Sequence, residues 1–125
     1  MKIKTETLVG KQLNYAVAVS EGFKPFTDGI SWIIDCKGTY KTLPGYSTDW
    51  AVAGPIIESE RITLDYYCNQ GESCAALGYA SYDNEGEYIE GSDHKQIGPT
   101  PLIAAMRCYV SSKLGSEVEI PYALL

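Results

Sequence analysis

With 125 residues, a hydrophobic share of 45% and a charged share of 21%, the chain suits one folded domain over residues 1–125. Its net charge is −6, and its ten Lys and Arg residues are scattered, which argues against binding to the backbone of long nucleic acid. No segment is apolar for long enough to cross a bilayer, and no secretory leader follows Met1, so we expect a cytoplasmic protein without a membrane partner.

The cysteines do not follow the spacing of a metal site. A zinc module pairs its cysteines or histidines at short intervals, and none of these four cysteines forms such a pair with another cysteine or with His94. We therefore expect no metal and reduced, buried thiols, as is usual in a cytosolic protein. The four are Cys36, Cys68, Cys74 and Cys108.

The first helix is predicted over residues 8–21. Leu13, Ala16 and Val17 recur at helical spacing, and Gly22 is a natural stop. The small apolar side chains of this face allow another helix or a sheet to approach closely. We expect this helix to pack against the core of the domain.

Several other segments have the alternating or β-branched pattern of short strands separated by glycine-containing turns. Together they predict an antiparallel sheet of about four to six strands. The segments are 2–5, 30–35, 39–42, 61–67, 75–82, 87–90 and 117–120.

A second helical stretch follows the turn at Pro44 and Gly45. Ser47 or Thr48 is suited to cap a short turn over residues 49–53. Gly54 and Pro55 then predict that a separate short helix begins there and covers residues 55–60.

The most distinctive helix is predicted over residues 101–114. Thr100 is its N-cap, Pro101 occupies its first position, and Gly115 closes its last turn. The helix is apolar almost all round, apart from a narrow stripe through Arg107 and Ser111, past Ala104, that we expect to face solvent. Together, the predicted helices and strands indicate an α+β domain with its sheet packed on this central helix.

Because the helix has more apolar surface than one sheet and one short helix can cover, we also predict a homodimer.

Two stretches resemble the NinX-like family, small proteins of lambdoid and related tailed phages whose function is unknown. The resemblance implies a phage or prophage source and no particular activity. The motifs are Ser47-Thr48-Asp49-Trp50-Ala51 with Gly54-Pro55-Ile56-Ile57-Glu58, and the run from Gly98 to Cys108. The chain departs from the family pattern at Val52, Ala53 and Ser59, and a ligand that contacted these positions would differ accordingly.

No catalytic constellation is recognisable. The motifs of serine hydrolases, phosphate loops and zinc hydrolases are absent from the sequence, and no cysteine is spaced from His94 as in a known nucleophile pair. Asp35 and Asp49 are carboxylates, but an aspartate beside a helix cap is usually structural. We therefore predict a protein that is not an enzyme.

A binding function has more support. Two Gly-Pro pairs precede predicted helix starts, where free N–H groups and a partial positive charge attract phosphate. Trp50 nearby offers a face on which a base can stack, although a tryptophan is more often a core anchor. We predict a site for a small phosphorylated nucleotide, of the cyclic oligonucleotide or ADP-ribose type, which the protein sequesters from host defence. Its predicted residues are Tyr46, Thr48, Asp49, Trp50, Gly54, Ile56, Ile57, Thr100 and Arg107.

The alternative is a protein that binds and inhibits or regulates a host or phage protein. Residues 83–93 include five acidic side chains and no basic one, and without these five the net charge of the chain is near −1. Tyrosines beside such a loop are typical of a protein-binding surface.

Overall fold

The computed structural model describes residues 1–67, 72–77, 81–82, 88–89 and 93–125. Within these residues the chain forms three α-helices and short antiparallel strands, which confirms the predicted α+β class. None of these helices is both long and apolar enough to span a membrane. The acidic loop at residues 83–93 lies largely outside the described residues.

The helices are α1 (Gly10–Ser20), α2 (Trp50–Ser59) and α3 (Pro101–Leu114). Short 3₁₀ turns cover Thr5–Thr7 and Tyr122–Leu124. α1 and α3 therefore lie within one or two residues of their predicted bounds, because each contains local signals for its start or its end. The start of α2 differs from the prediction.

The described strands pair antiparallel in four groups rather than in one continuous sheet. β1 (Lys2–Lys4) pairs with β10 (Glu117–Glu119), and β2 (Phe26–Thr27), β3 (Trp32–Cys36) and β4 (Thr39–Thr42) follow one another in a second group. The sheet under α3 consists of β5 (Ile62–Tyr67), β6 (Glu72–Leu77) and β9 (Asp93–Gly98), in the order β5-β6-β9. The remaining pair is β7 (Ser81–Tyr82) with β8 (Tyr88–Ile89).

α3 is the centre of the core and has the predicted caps. The side chain of Thr100 accepts a hydrogen bond from the amide of Ile103 at 3.1 Å, and Pro101 is the first helical residue. Gly115 has a φ of 91°, a conformation that glycine adopts without steric cost. The helix packs against β5, β6 and β9 on one side and against α1 on another, as its apolar pattern predicts.

Most of the stripe of α3 that we expected to face solvent is buried, and Ser111 at its end is half-buried. Arg107 is 7% exposed, and Ala104 one turn earlier is fully buried. This expectation was wrong because β9 and the turn at Thr5–Thr7 also pack against α3. A single chain therefore covers most of the helix, which removes the argument from which the homodimer was predicted.

α2 is one continuous helix, whereas the sequence predicted a short turn and a separate helix over 55–60. It begins at Trp50, and the Asp49 side chain caps it by accepting from the amide of Ala51 at 3.0 Å. Pro55 lies inside the helix, where it has no N–H to donate and its ring crowds the Ala51 carbonyl.

Burial outweighs the unfavourable effect of proline in α2. A proline in a helix interior costs about 3 kcal/mol, which is why the sequence predicted a break. Ala53 and Ile56 are buried on this helix, at 0% and 5% exposure. Each buried aliphatic side chain stabilises the fold by up to about 2–3 kcal/mol, so packing of the intact helix offsets the local cost.

Candidate functional site

A groove lies between the start of α2 and the start of α3. Ser47, Thr48 and Trp50 form one wall, and residues 100–103 form the other. The space between them is about 260 Å³. It is therefore an open groove near the lower end of the size range of small-molecule sites, which is roughly 300–1,000 Å³.

The first wall is held in place by a turn. The amides of Thr48 and Asp49 donate to the carbonyl of Gly45 at 3.0 and 2.8 Å. The amide of Ser47 donates to Oδ1 of Asn14 on α1 at 2.9 Å, which ties the turn to the body of the domain. Trp50 follows directly and is 53% exposed, so its ring is available at the groove.

Ser47 carries an unsatisfied hydroxyl. The residue is 3% exposed, and within the described part of the chain its Oγ has no hydrogen-bond partner. A buried polar group without a partner costs about 1–3 kcal/mol, and most buried groups in native proteins have one. This oxygen has almost no accessible surface, so a hydrogen bond to a ligand or a water in the groove requires a rotation of the Ser47 side chain.

The second wall is the N-terminus of α3, where most of the free donors are already used. Pro101 has no N–H, and the amide of Ile103 is capped by Thr100. The amide of Ala104 donates to the carbonyl of Thr100 at 3.0 Å. Leu102 is left with an amide that makes no hydrogen bond to another described residue. One free N–H at the positive end of the helix dipole is a modest anion site.

Gly98 allows this helix start to lie close to β9. A Cβ at this position would be 2.8 Å from the backbone nitrogen of Ala104 and 3.2 Å from Cγ2 of Ile103. Only a residue without a side chain fits so close to the backbone of the helix. The Gly98-Pro99-Thr100-Pro101 stretch thus positions the second wall.

A comparison with protein families matches residues 4–113 to NinX of bacteriophage P22. The chain belongs to the NinX family. The match runs from the end of β1 to the last turn of α3 and includes both walls of the groove. A search among curated proteins found no match.

Within this NinX fold, three of the predicted site residues come together. Thr48, Trp50 and Thr100 all line the groove, as the sequence predicted from the two helix starts. The exposure of Trp50 also shows that it is not a core anchor. Whether these residues bind a ligand remains a prediction.

Four other predicted residues belong to α2 rather than to the walls. Gly54, Ile56 and Ile57 lie in the middle of the helix, where the amides are used by intrahelical hydrogen bonds. Their predicted role as a free helix N-terminus is therefore wrong. Asp49 uses Oδ1 as the helix cap, which is the structural role that we weighed against a ligand role.

Tyr46 lies in the core, although the next residue lines the groove. Its side chain is 5% exposed, and burial raises its pKa to about 12, with smaller contributions from Glu21 and Cys36. A ring in this position supports the turn from beneath and does not present a face to the groove.

Arg107 is also absent from the groove walls. Its Nε donates to the Leu8 carbonyl at 2.9 Å, and one terminal nitrogen donates to the Ile97 carbonyl at 2.8 Å. Burial lowers its pKa, and the nearby Glu6 acts in the opposite direction. The guanidinium joins three segments of the NinX fold and is a structural group.

The positions at which this chain departs from the family pattern do not line the groove. Ala53 is buried and Val52 half-buried, and both pack on the core side of α2. Ser59 is at the end of α2, where its hydroxyl donates to the Ile56 carbonyl at 3.3 Å. These departures therefore do not alter the walls.

Ser47, Pro101, Leu102 and Ile103 line the groove but were not among the predicted site residues. The sequence indicates Ser47 as a helix cap, Pro101 as part of a helix start that attracts anions, and Leu102 and Ile103 as parts of a buried helix. A serine next to a predicted cap was the one available signal. No sequence pattern shows that its hydroxyl has no partner.

A second cavity, of about 180 Å³, lies between α1 and the β3–β4 hairpin. Trp32 forms part of its wall and packs edge-on against Tyr15, with ring centroids 5.5 Å apart. Trp32 is therefore separate from the groove. Among the described residues, no group of three or more His, Cys, Asp or Glu side chains could hold a metal ion.

Proposed function

We propose that this NinX-family protein binds a small phosphorylated nucleotide in the groove and sequesters it without chemical change. The observation that carries the proposal is the Ser47 hydroxyl, which has no hydrogen-bond partner among the described residues and belongs to the same wall as an exposed tryptophan, opposite a helix N-terminus. In a phage protein, such sequestration would remove a nucleotide signal of host defence. Cyclic oligonucleotides and ADP-ribose derivatives are the candidate ligands.

Each part of the groove suits a part of a nucleotide. Trp50 offers a base a face to stack on, which contributes about 1–3 kcal/mol in other nucleic-acid sites. The free amide of Leu102 points from the positive end of α3, where a phosphate is favoured. The hydroxyls of Ser47 and Thr100 can donate to phosphate or sugar oxygens.

The groove favours binding over catalysis. Among the described residues that line it there is no histidine, cysteine, carboxylate, lysine or arginine. General acid–base and nucleophilic mechanisms depend on such groups. We therefore propose that the ligand is released unchanged, and that the protein is not an enzyme.

High affinity requires more enclosure than one chain provides. A nanomolar dissociation constant corresponds to about −12 kcal/mol, and one stacked base with one phosphate site supplies only part of this. Because the groove is small and Trp50 is half-exposed, we propose that a second copy of the chain closes it over the ligand. The homodimer is thus part of the proposal.

The proposal is tested with the full chain purified from cells that contain candidate signals. Heat denaturation and mass spectrometry of the supernatant should release an intact nucleotide, and calorimetry with cyclic di- and trinucleotides and ADP-ribose should give saturable heat. Trp50→Ala should weaken binding by about 1–3 kcal/mol. Tyr40→Ala is the matched control, because Tyr40 is an aromatic residue that is 67% exposed and lies outside the groove. No heat with any ligand and no released nucleotide would refute the proposal.

A protein partner is the second candidate, and one surface of the small sheet supports it. Phe26 and Tyr40 pack edge-on on strands β2 and β4, with ring centroids 5.8 Å apart, and they are 43% and 67% exposed. Ile30, in the turn between β2 and β3, is 92% exposed. Exposed aromatic residues are enriched at protein interfaces. If Phe26→Ser and Tyr40→Ser together abolish capture of a host protein while Trp50→Ala does not, this candidate replaces the first.

A further inference from the structure

We infer that the groove selects a singly charged phosphodiester and discriminates against a doubly charged phosphomonoester. This inference rests on the proposed function and specifies the ligand class for the same site. It separates cyclic nucleotides, and other ligands whose phosphates are all internal, from nucleotides that end in a free phosphate.

The hydrogen-bond donors of the groove are all neutral. Among the described residues they include the amide of Leu102, the indole N–H of Trp50 and the hydroxyls of Ser47, Thr48 and Thr100. The Thr48 hydroxyl makes only a long bond, 3.5 Å, to the Gly45 carbonyl. These neutral donors, with the partial positive charge at the N-terminus of α3, can match one negative charge. A second negative charge needs a lysine, an arginine or a metal ion beside it, because a buried charge without a counter-charge is strongly disfavoured.

The charged groups on the neighbouring elements do not supply this counter-charge. Asp49 follows the first wall and is itself an acid, so it adds repulsion. Arg107 is one turn beyond Ile103 on α3, but its Nε and one terminal nitrogen are bonded to the backbone carbonyls of Leu8 and Ile97. Lys113 lies near the other end of α3, within 3.8 Å of Glu60.

No described side chain in the walls titrates near neutral pH, so a pH effect in that range reports on the ligand. His94 contacts Ser111 at 3.4 Å, two turns of α3 beyond the groove. A phosphomonoester has a second pKa of about 6, so about 1% of it is singly charged at pH 8 and about three-quarters at pH 5.5. If only the singly charged form binds, the apparent dissociation constant of the phosphomonoester is inversely proportional to that fraction. The affinity should then rise about 75-fold between pH 8 and pH 5.5.

The test is calorimetry of the full chain with two matched pairs of ligands. One pair is 3′,5′-cyclic AMP with adenosine 5′-monophosphate, and the other is cyclic di-AMP with its linear form that ends in a 5′-phosphate. We expect at least one cyclic ligand to bind with the same affinity at pH 8 and pH 5.5. We expect its linear partner to bind poorly at pH 8 and to gain about 75-fold at pH 5.5. The lower limit of pH 5.5 keeps the protein above its sequence pI of about 4.7.

The outcomes separate the two proposals. A linear nucleotide that binds at pH 8 as tightly as its cyclic partner would overturn this inference but leave the proposed function intact. Equal pH dependence of both members of a pair would also overturn it, because the effect would then arise in the protein. An absence of heat with all four ligands would overturn both.

Discussion

The side chain of Arg107 donates a hydrogen bond to the backbone carbonyl of Leu8 at 2.9 Å, across 99 residues of sequence. The same guanidinium donates to the carbonyl of Ile97 at 2.8 Å. One side chain of α3 thus donates hydrogen bonds to backbone carbonyls of two other segments of the chain. In the described part of the chain no ion pair accompanies it, so these two carbonyls are its main compensation for burial.

Arg107→Ala should therefore be strongly destabilising. The change leaves the buried Leu8 carbonyl and the partly buried Ile97 carbonyl without this donor, at up to about 1–3 kcal/mol each, and removes the packed aliphatic stem. We expect the free energy of unfolding, measured by urea at 25 °C, to fall by about 3–5 kcal/mol. Lys24→Ala is the control, because it removes a cation from an exposed position and should change stability by less than about 0.5 kcal/mol. A loss below about 1 kcal/mol at Arg107 would contradict this structural role.

Two glycine substitutions should have opposite effects. Gly98→Ala places a Cβ 2.8 Å from the backbone nitrogen of Ala104, which forces the helix start away from β9 and should cost about 1–3 kcal/mol. Gly54→Ala meets nothing within 4 Å and lies inside α2, so it should stabilise the protein by about 0.5–1 kcal/mol. Thermal unfolding of the two variants measures both effects. If Gly98→Ala melted at the same temperature as the parent protein, the start of α3 could move away from β9 without cost.

The parts of the fold that the sequence predicted well are those with local causes. Thr100 and Gly115 define the two ends of α3 by the conformations that their own backbones prefer, so the prediction needed no knowledge of the neighbours. Arg107 could not be placed in this way. A single arginine on an apolar helix is normally solvated, and the two carbonyls that hold it come from distant segments.

The same distinction applies to the candidate site. Trp50 and Thr100 were predicted to lie near each other because both accompany a helix start, and both do line the groove. The prediction failed for residues 54–57, because the packing of Ala53 and Ile56 keeps α2 continuous through Pro55. Here a tertiary effect outweighs a strong local signal.

Stability should decline in alkaline solution as the buried tyrosines ionise. Burial raises the pKa of Tyr46 to about 12 and also raises the pKa of Tyr109, whereas an unfolded tyrosine titrates near 10. Between pH 10 and 12 the folded state therefore binds more protons than the unfolded state. The stabilisation is complete below pH 10 and is lost as the pH rises towards 12.

Urea unfolding at several pH values from 8 to 11 measures this decline. Tyr46→Phe should show a shallower fall above pH 10, because it removes one of the tyrosines whose pKa burial raises. Tyr40→Phe should follow the parent protein, because Tyr40 is 67% exposed. If Tyr46→Phe and the parent have the same slope, Tyr46 does not titrate late in the folded state.

Ser47→Ala should separate stability from binding. In the free protein the Ser47 hydroxyl is buried without a partner in the described structure, so its removal should raise the free energy of unfolding by about 1 kcal/mol. The amide of Ser47 still donates to Asn14, so the turn is retained. In the bound protein the hydroxyl donates to the nucleotide, and the loss of this bond should weaken binding about fivefold, or about 1 kcal/mol. Urea unfolding of the free variant and calorimetry with the best-bound cyclic nucleotide give the two values.

The control for this variant is Ser112→Ala, because the Ser112 hydroxyl already donates to the carbonyl of Tyr109 at 2.6 Å, away from the groove. It should lose a little stability and keep full affinity. A destabilised Ser47→Ala would show that the hydroxyl has a partner in the free protein, and an unchanged dissociation constant would exclude it from the site. If the Ser47 hydroxyl bonds only to a ligand, the variant should be more stable and should bind more weakly. A purely structural serine would change stability and affinity in the same direction, or would change neither.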